Sequence, residues 1–139
     1  MKRILLALVL ATVSTAMLSS CTKEYYEMVP SKTFIYEKTA TRYPWEDVSD
    51  NSIFFTLPIN ELTQYYVNQG IVSVAISPDN ESTYQTIPAT IGGISYSYDY
   101  QVGLIRVYAE DPIMEDGSFV NPPNNLVIKV SLTDADWIE

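Results

Sequence analysis

The fold is constrained most strongly by a series of short segments in which apolar and polar residues alternate. Successive side chains of a β-strand point to opposite faces, so this alternation predicts strands with one buried face. The alternation, or a high content of β-forming residues, occurs at 33–37, 52–57, 71–76, 94–100, 104–109 and 126–132. Turn-forming residues separate these segments. We therefore predict a mainly all-β chain: a single small antiparallel β-sandwich, immunoglobulin-like, of six to seven strands, with an open barrel as the alternative.

One short helix is expected near residues 60–69. Asn60 belongs to the residue types that cap helix N-termini, and apolar and tyrosine side chains follow it at helical spacing. Gly70 is placed to end the helix. The composition of 43–51, between the first two predicted strands, predicts a turn-rich loop.

The first twenty residues have the layout of a secretory signal. Lys2 and Arg3 precede an apolar run at 4–13 that is too short to span a bilayer as a stable helix. The only cysteine of the chain, Cys21, follows small residues at the end of this segment, an arrangement that resembles the lipobox of bacterial lipoproteins. The resemblance implies removal of residues 1–20 and lipidation of Cys21. A plain signal peptide with an incidental cysteine is the alternative.

The predicted mature chain consists of a lipidated tether at 21–32 and a β-sandwich domain at 33–139. Several acyl chains on Cys21 would hold it firmly to a membrane. Thr22 stands where aspartate, by the enterobacterial rule, would retain a lipoprotein in the inner membrane, so we expect the outer membrane. Whether the domain faces the periplasm or the cell surface stays open.

Composition excludes several classes of function. The chain has no histidine and one cysteine, which removes catalytic triads with histidine, Cys-His pairs, histidine-ligated zinc and disulfides. The formal charge is −9, and loss of the signal leaves six cations against seventeen carboxylates, or −11. Such a chain lacks the clustered basic face that nucleic acids require. We expect no enzyme activity and no cofactor.

Part of the sequence resembles a group of small uncharacterised lipoproteins and secreted proteins of Bacteroidetes. The resemblance rests on the segments 55–63, 68–74 and 125–130 and on the tyrosine-rich hairpin, and it covers roughly residues 33–132. It implies a compact β-sandwich with a helix between two early strands. It implies no catalytic residues.

Aromatic side chains are the most specific candidates for ligand binding. Tyr96, Tyr98 and Tyr100 would form a row with rings about 7 Å apart, on which sugar faces or apolar groups of a partner stack. The same row begins with Ile94, so packing in the core is the alternative reading. Trp45, in its acidic loop, is a further candidate for an exposed contact, as is Trp137 near the C-terminus; packing at an edge is the alternative for both.

Two acidic segments suggest calcium, because carboxylate oxygens are its preferred ligands. One combines 110–111 with 115–117, and the other contains Glu46, Asp47 and Asp50. The spacing of the first does not match an EF-hand loop, and a solvated acidic turn is the other reading of both segments. We therefore assign no metal site.

Two functions follow from these features. In the first, the chain is an outer-membrane-anchored lipoprotein whose domain is a non-catalytic binding module for a glycan or a protein. In the alternative, it is a structural or accessory subunit of a cell-envelope assembly. An exposed tyrosine row favours the first function, whereas a long unprotected edge strand or a large apolar patch favours the second.

Overall fold

A computed structural model describes residues 31–113 and 119–135. This part of the chain contains nine β-strands and one helix. The strands are β1 (Lys32–Lys38), β2 (Glu46–Ser49), β3 (Ser52–Pro58), β4 (Ile71–Ser77), β5 (Gln85–Thr86), β6 (Ala89–Ile91), β7 (Ile94–Gln101), β8 (Leu104–Glu110) and β9 (Leu126–Thr133), and the helix is α1 (Gln64–Asn68).

The strands form two antiparallel sheets packed face to face. The four-stranded sheet has the order β1-β9-β4-β5, and the five-stranded sheet has the order β2-β3-β8-β7-β6. Their inner faces contribute to one hydrophobic core. The Tyr98 hydroxyl on β7 donates a hydrogen bond to the Val72 carbonyl on β4 at 2.8 Å, which links the sheets directly. The mainly β fold is therefore a small sandwich, as predicted, and not an open barrel.

Alternation along the long strands determines which side chains are buried. On β9, the inward residues are 0–2% exposed, and they are Leu126, Ile128, Val130 and Leu132. On β3 and β8 the inward residues are equally apolar, and Phe55, Leu57, Ile105 and Val107 are all fully buried. Each side chain of this kind contributes roughly 1.5–3 kcal/mol by leaving water. These positions confirm the predicted alternation.

Three strands, β2, β5 and β6, have no counterpart in the sequence prediction. β2 lies inside the segment predicted as a turn-rich loop, and all four of its residues are exposed. β5 and β6 contain only two and three residues. None of them is long enough, or buried enough on one face, to produce a recognisable alternation.

The helix is shorter than predicted. It begins after Thr63, which occupies the N-cap position, whereas Asn60 lies in a preceding turn. Gly70 follows the helix, as predicted, and its N–H donates to the carbonyl of Tyr65 at 3.2 Å. A Cβ at Gly70 would lie 2.6 Å from Cδ1 of the buried Tyr66, so close packing favours glycine there. Within the described ranges, no helix has the length and apolar character needed to cross a membrane.

Candidate functional site

The predicted tyrosine row on β7 faces into the sandwich. Tyr96 and Tyr98 pair with the inward residues Ala109 and Val107 of β8. Tyr96 is only 2% exposed, and burial raises its pKa to about 12. Tyr98 is half-buried against the core. The prediction of an exposed row is therefore wrong for these two rings, because the tyrosines occupy the apolar face that the pleat turns inward.

Tyr100 is the member of the row that reaches solvent. It lies near the end of β7 and is 37% exposed. Its ring stacks on that of Tyr98, with the centroids 6.3 Å apart and an interplanar angle of 25°. One ring at the rim of the sandwich does not form a platform by itself.

Trp45 also packs against the core rather than standing out from a loop. Its ring meets Phe55 edge-on, with the centroids 4.9 Å apart. The Nζ of Lys38 lies 4.4 Å from the centre of the Trp45 ring. These contacts correct the prediction of an exposed aromatic contact and support the alternative of packing at an edge.

Lys38 is an unusual buried cation at the end of β1. Its side chain is 1% exposed, and its Nζ has no hydrogen-bond partner among the described residues. Burial lowers the pKa of the amine from 10.5 to about 8. β1 is an edge strand of the four-stranded sheet. An inward-pointing charge on an edge strand disfavours the addition of another strand, since every added strand must accommodate it.

The outer face of the five-stranded sheet carries a second pair of aromatic rings. Phe54 on β3 lies directly opposite Tyr108 on β8, and the ring centroids are 5.8 Å apart with an interplanar angle of 38°. Thr56 and Arg106 form the next cross-strand pair, and Arg106 in turn opposes Asp99 on β7. We call these five residues, Phe54, Thr56, Asp99, Arg106 and Tyr108, the aromatic face.

Hydrogen bonding fixes the orientation of the Tyr108 ring. Its hydroxyl donates to Oδ2 of Asp99 at 2.7 Å, and Nη1 of Arg106 lies 3.9 Å from the same oxygen. Because Asp99 belongs to the neighbouring strand, this bond ties the Tyr108 side chain on β8 to β7. Partial burial and the bond to Asp99 raise the pKa of Tyr108. The face thus combines two adjacent rings with a carboxylate and a guanidinium that stay partly exposed, at 53% and 39%.

Sequence reasoning did not find the aromatic face. The alternation along β8 separates Arg106 and Tyr108 from the apolar positions, but it does not show which residue of another strand lies opposite. Phe54 falls on the polar side of β3, between two buried residues. Only the register of β3 against β8 brings the two rings together.

A polar cavity of about 510 Å³ lies at one end of the four-stranded sheet. Residues 37–39, 77–81 and 125–127 line it, where β1 and β4 end and β9 begins. Its volume falls in the range of small-molecule sites, about 300–1,000 Å³. Its carboxylates are those of Glu37, Asp79 and Glu81.

Two of these carboxylates hold the loop that borders the cavity. Asp79 accepts hydrogen bonds from the Ser77 hydroxyl at 2.7 Å and from both the amide and the hydroxyl of Thr83, at 2.9 and 2.7 Å. The bonds from Thr83, followed by that from Ser77, lower the pKa of Asp79 to about 2. Glu81 accepts a bond from the Tyr84 hydroxyl at 2.7 Å. Two of the three carboxylates that line the cavity, Asp79 and Glu81, therefore also stabilise the loop beside it.

Three of the predicted candidates lie outside the described residues: Cys21, Trp137 and the acidic segment 115–117. In the ranges that the structure describes, no group of three or more acidic, cysteine or histidine side chains is arranged to hold a metal ion. Glu46 and Asp47 lie on successive residues of β2 and so point to opposite faces.

Comparisons with protein-family models, with curated protein sequences and with solved structures found no match. The resemblance to a lipoprotein group of Bacteroidetes thus stays a prediction.

Proposed function

We propose that this chain is an outer-membrane-anchored lipoprotein whose sandwich domain is a non-catalytic binding module for a glycan or a protein. The observation that carries the proposal is the aromatic face. Adjacent aromatic rings that are partly exposed, as Phe54 and Tyr108 are, occur in binding surfaces together with hydrogen-bonding groups, because the rings supply contact area and the polar groups supply orientation. The face replaces the tyrosine row of β7 as the binding surface.

The charged groups of the aromatic face are placed to orient a ligand. Asp99 accepts a hydrogen bond from the Tyr108 hydroxyl and lies beside Arg106, so its position is fixed by two neighbours. A carboxylate held in this way can orient a ligand by accepting hydrogen bonds from it. The guanidinium of Arg106 adds N–H donors beside this acceptor.

The anchoring part of the proposal depends on Cys21 and is tested separately. Metabolic labelling with an alkyne-bearing fatty acid should label the wild-type chain, and Cys21→Ser should abolish both the label and the recovery in the outer-membrane fraction. Equal labelling of the two chains would refute lipidation. Protease treatment of intact and lysed cells, with a periplasmic protein as the integrity control, then determines which side of the membrane the domain faces.

A specific observation also favours the second function, a structural or accessory subunit of an envelope assembly. β1 is a seven-residue strand at the edge of the four-stranded sheet, and Ile35 in its middle is 55% exposed. Such an edge offers backbone groups to a partner strand. The inward charge of Lys38 opposes this use at one end of the strand.

Cysteine cross-linking in cells distinguishes this second function. Once Cys21 is lipidated the chain has no free thiol, so a cysteine introduced at Ile35 reports contacts of the edge alone. Ile71→Cys is the matched control, because Ile71 is 58% exposed on the same sheet but lies on β4. A partner that cross-links through position 35 and not through 71 supports the subunit function, and equal reactivity of both positions argues against it.

A further inference from the structure

The rings and the polar groups of the aromatic face indicate which class of ligand it binds. The hydroxyl of Tyr108 is held by Asp99 on the neighbouring strand, and its ring is half-buried, so that part of it reaches solvent. Phe54 lies beside it at an angle of 38°. With their centroids 5.8 Å apart, the two half-buried rings form one partly exposed apolar strip, of the kind on which the apolar face of a sugar ring packs.

Polar groups border this strip along β8 and on the neighbouring strand β7. Arg106 offers N–H donors and Asp99 offers an acceptor, and the two groups lie 3.9 Å apart. Adjacent donors and acceptors match neighbouring hydroxyl groups, each of which both donates and accepts. Ser95 and Ser97, on the outward side of β7, add further hydroxyls along the same border.

The charge around the strip selects against anions. Glu46 lies opposite Phe54 on the other side of β3, and Glu110 lies two residues from Tyr108 on the same face. With Asp99, these carboxylates outnumber the one guanidinium, and the mature chain as a whole carries −11. An anionic ligand would be repelled by this field.

We infer that the aromatic face binds a neutral glycan, stacking the C–H face of a pyranose ring on Phe54 and Tyr108 while Asp99 and Arg106 hydrogen-bond its hydroxyl groups. This inference rests on the proposed function, whose ligand it narrows to an uncharged carbohydrate. A protein ligand is the rival occupant, and the experiment below separates the two.

The test is titration calorimetry on the full mature chain in a sugar-free detergent, with cellohexaose, xylohexaose and mannohexaose as neutral probes and hexagalacturonate as the anionic probe. We expect saturable binding of at least one neutral probe and none of the anionic one. Phe54→Ala and Tyr108→Ala should each weaken that binding about tenfold, the loss expected for one stacked ring. Tyr65→Ala, which removes a 39% exposed ring from α1, should leave the affinity unchanged.

The outcomes distinguish failure of the inference from failure of the proposed function. If the folded wild-type chain binds no neutral probe, or if both aromatic variants bind as wild type does, the glycan assignment is overturned. A photo-reactive residue at position 54 that cross-links one protein in cells, with the same residue at position 65 as control, overturns the glycan but retains the binding module. If no neutral probe binds and position 54 yields no specific cross-link, both conclusions fall. Thermal melts of each variant exclude loss of the fold as the cause.

Discussion

Replacing the buried lysine of β1 should stabilise the protein. Lys38 is 1% exposed, and burial lowers its pKa from 10.5 to about 8, a difference that corresponds to about 3 kcal/mol against the charged form at pH 7. The cation–π contact of Nζ with the Trp45 ring offsets at most about 2 kcal/mol of this cost. Lys38→Met keeps the length of the side chain and places a thioether near aromatic rings, a favourable contact. We expect this variant to be about 1–3 kcal/mol more stable than wild type at pH 7.

The effect should depend on pH in a defined direction. Above pH 8 the folded chain releases the proton from Lys38 while the unfolded chain keeps it up to about pH 10.5, so wild-type stability rises with pH across this window. About 2 kcal/mol of the penalty should disappear between pH 7 and pH 9.5. Lys38→Met has no such proton, and its advantage over wild type should therefore shrink by that amount.

Urea denaturation at pH 7 and pH 9.5 measures the free energy of unfolding of both proteins. The tyrosines are common to both, so the effect of their ionisation cancels when the two free energies are subtracted. Lys32→Met is the matched control, because Lys32 is an exposed lysine at the other end of the same strand. It should change stability by less than about 0.5 kcal/mol. A Lys38→Met variant that is less stable than wild type, by the same amount at both pH values, would refute the reasoning, since Lys38 would then be stabilising as a cation.

Three further predictions concern stability. Gly70→Ala should cost about 1–3 kcal/mol in urea denaturation, because the new Cβ would lie 2.9 Å from the Tyr66 Cα and the backbone must shift; an unchanged midpoint would contradict this. The low pKa of Asp79 stabilises the wild-type fold above about pH 4, and this contribution is lost as the pH falls toward 2. Asp79→Asn should lack the contribution, so the melting temperatures of the two proteins should converge in acid. A difference in melting temperature that stays constant with pH would argue against this. Tyr98→Phe should cost about 1–2 kcal/mol, because it removes the hydroxyl bond between the sheets, and wild-type stability in this variant would show that water replaces the bond.

The long strands were predictable because each contains enough alternating residues to define two faces. β9 and β8 alternate along their whole length, and the structure buries the apolar side of each. The short strands β5 and β6 were not predictable, because two or three residues are too few to define two faces. β2, whose four residues are all exposed, carries no hydrophobic signal in its sequence.

The site was harder to predict than the fold, for two physical reasons. Alternation separates the tyrosines of β7 from its serines, but it does not show which of the two sides is buried. The tyrosine side is the inward one because the rings have the larger apolar area. Lys38 follows the inward residues Phe34 and Tyr36 in the same two-residue period, so a signal for its burial existed. The pairing of Phe54 with Tyr108, by contrast, depends on strand register, which a single sequence does not reveal.

The position of Phe54 and Tyr108 on the outer face of the sheet bears on their role. The inner faces of the sandwich are already filled by apolar side chains, so Phe54 and Tyr108 are not required to complete the core. On the outer face of a strand, threonine satisfies the same backbone preference without exposing apolar area to water, as Thr56 does next to Phe54. Rings retained at such positions either stabilise the sheet by their mutual contact, which is worth about 0.5–1.5 kcal/mol, or serve a ligand. The stability of the two alanine variants decides between these roles: a loss well above that range with unchanged ligand binding would make the pair structural, whereas a small loss of stability with a large loss of affinity makes it the binding surface.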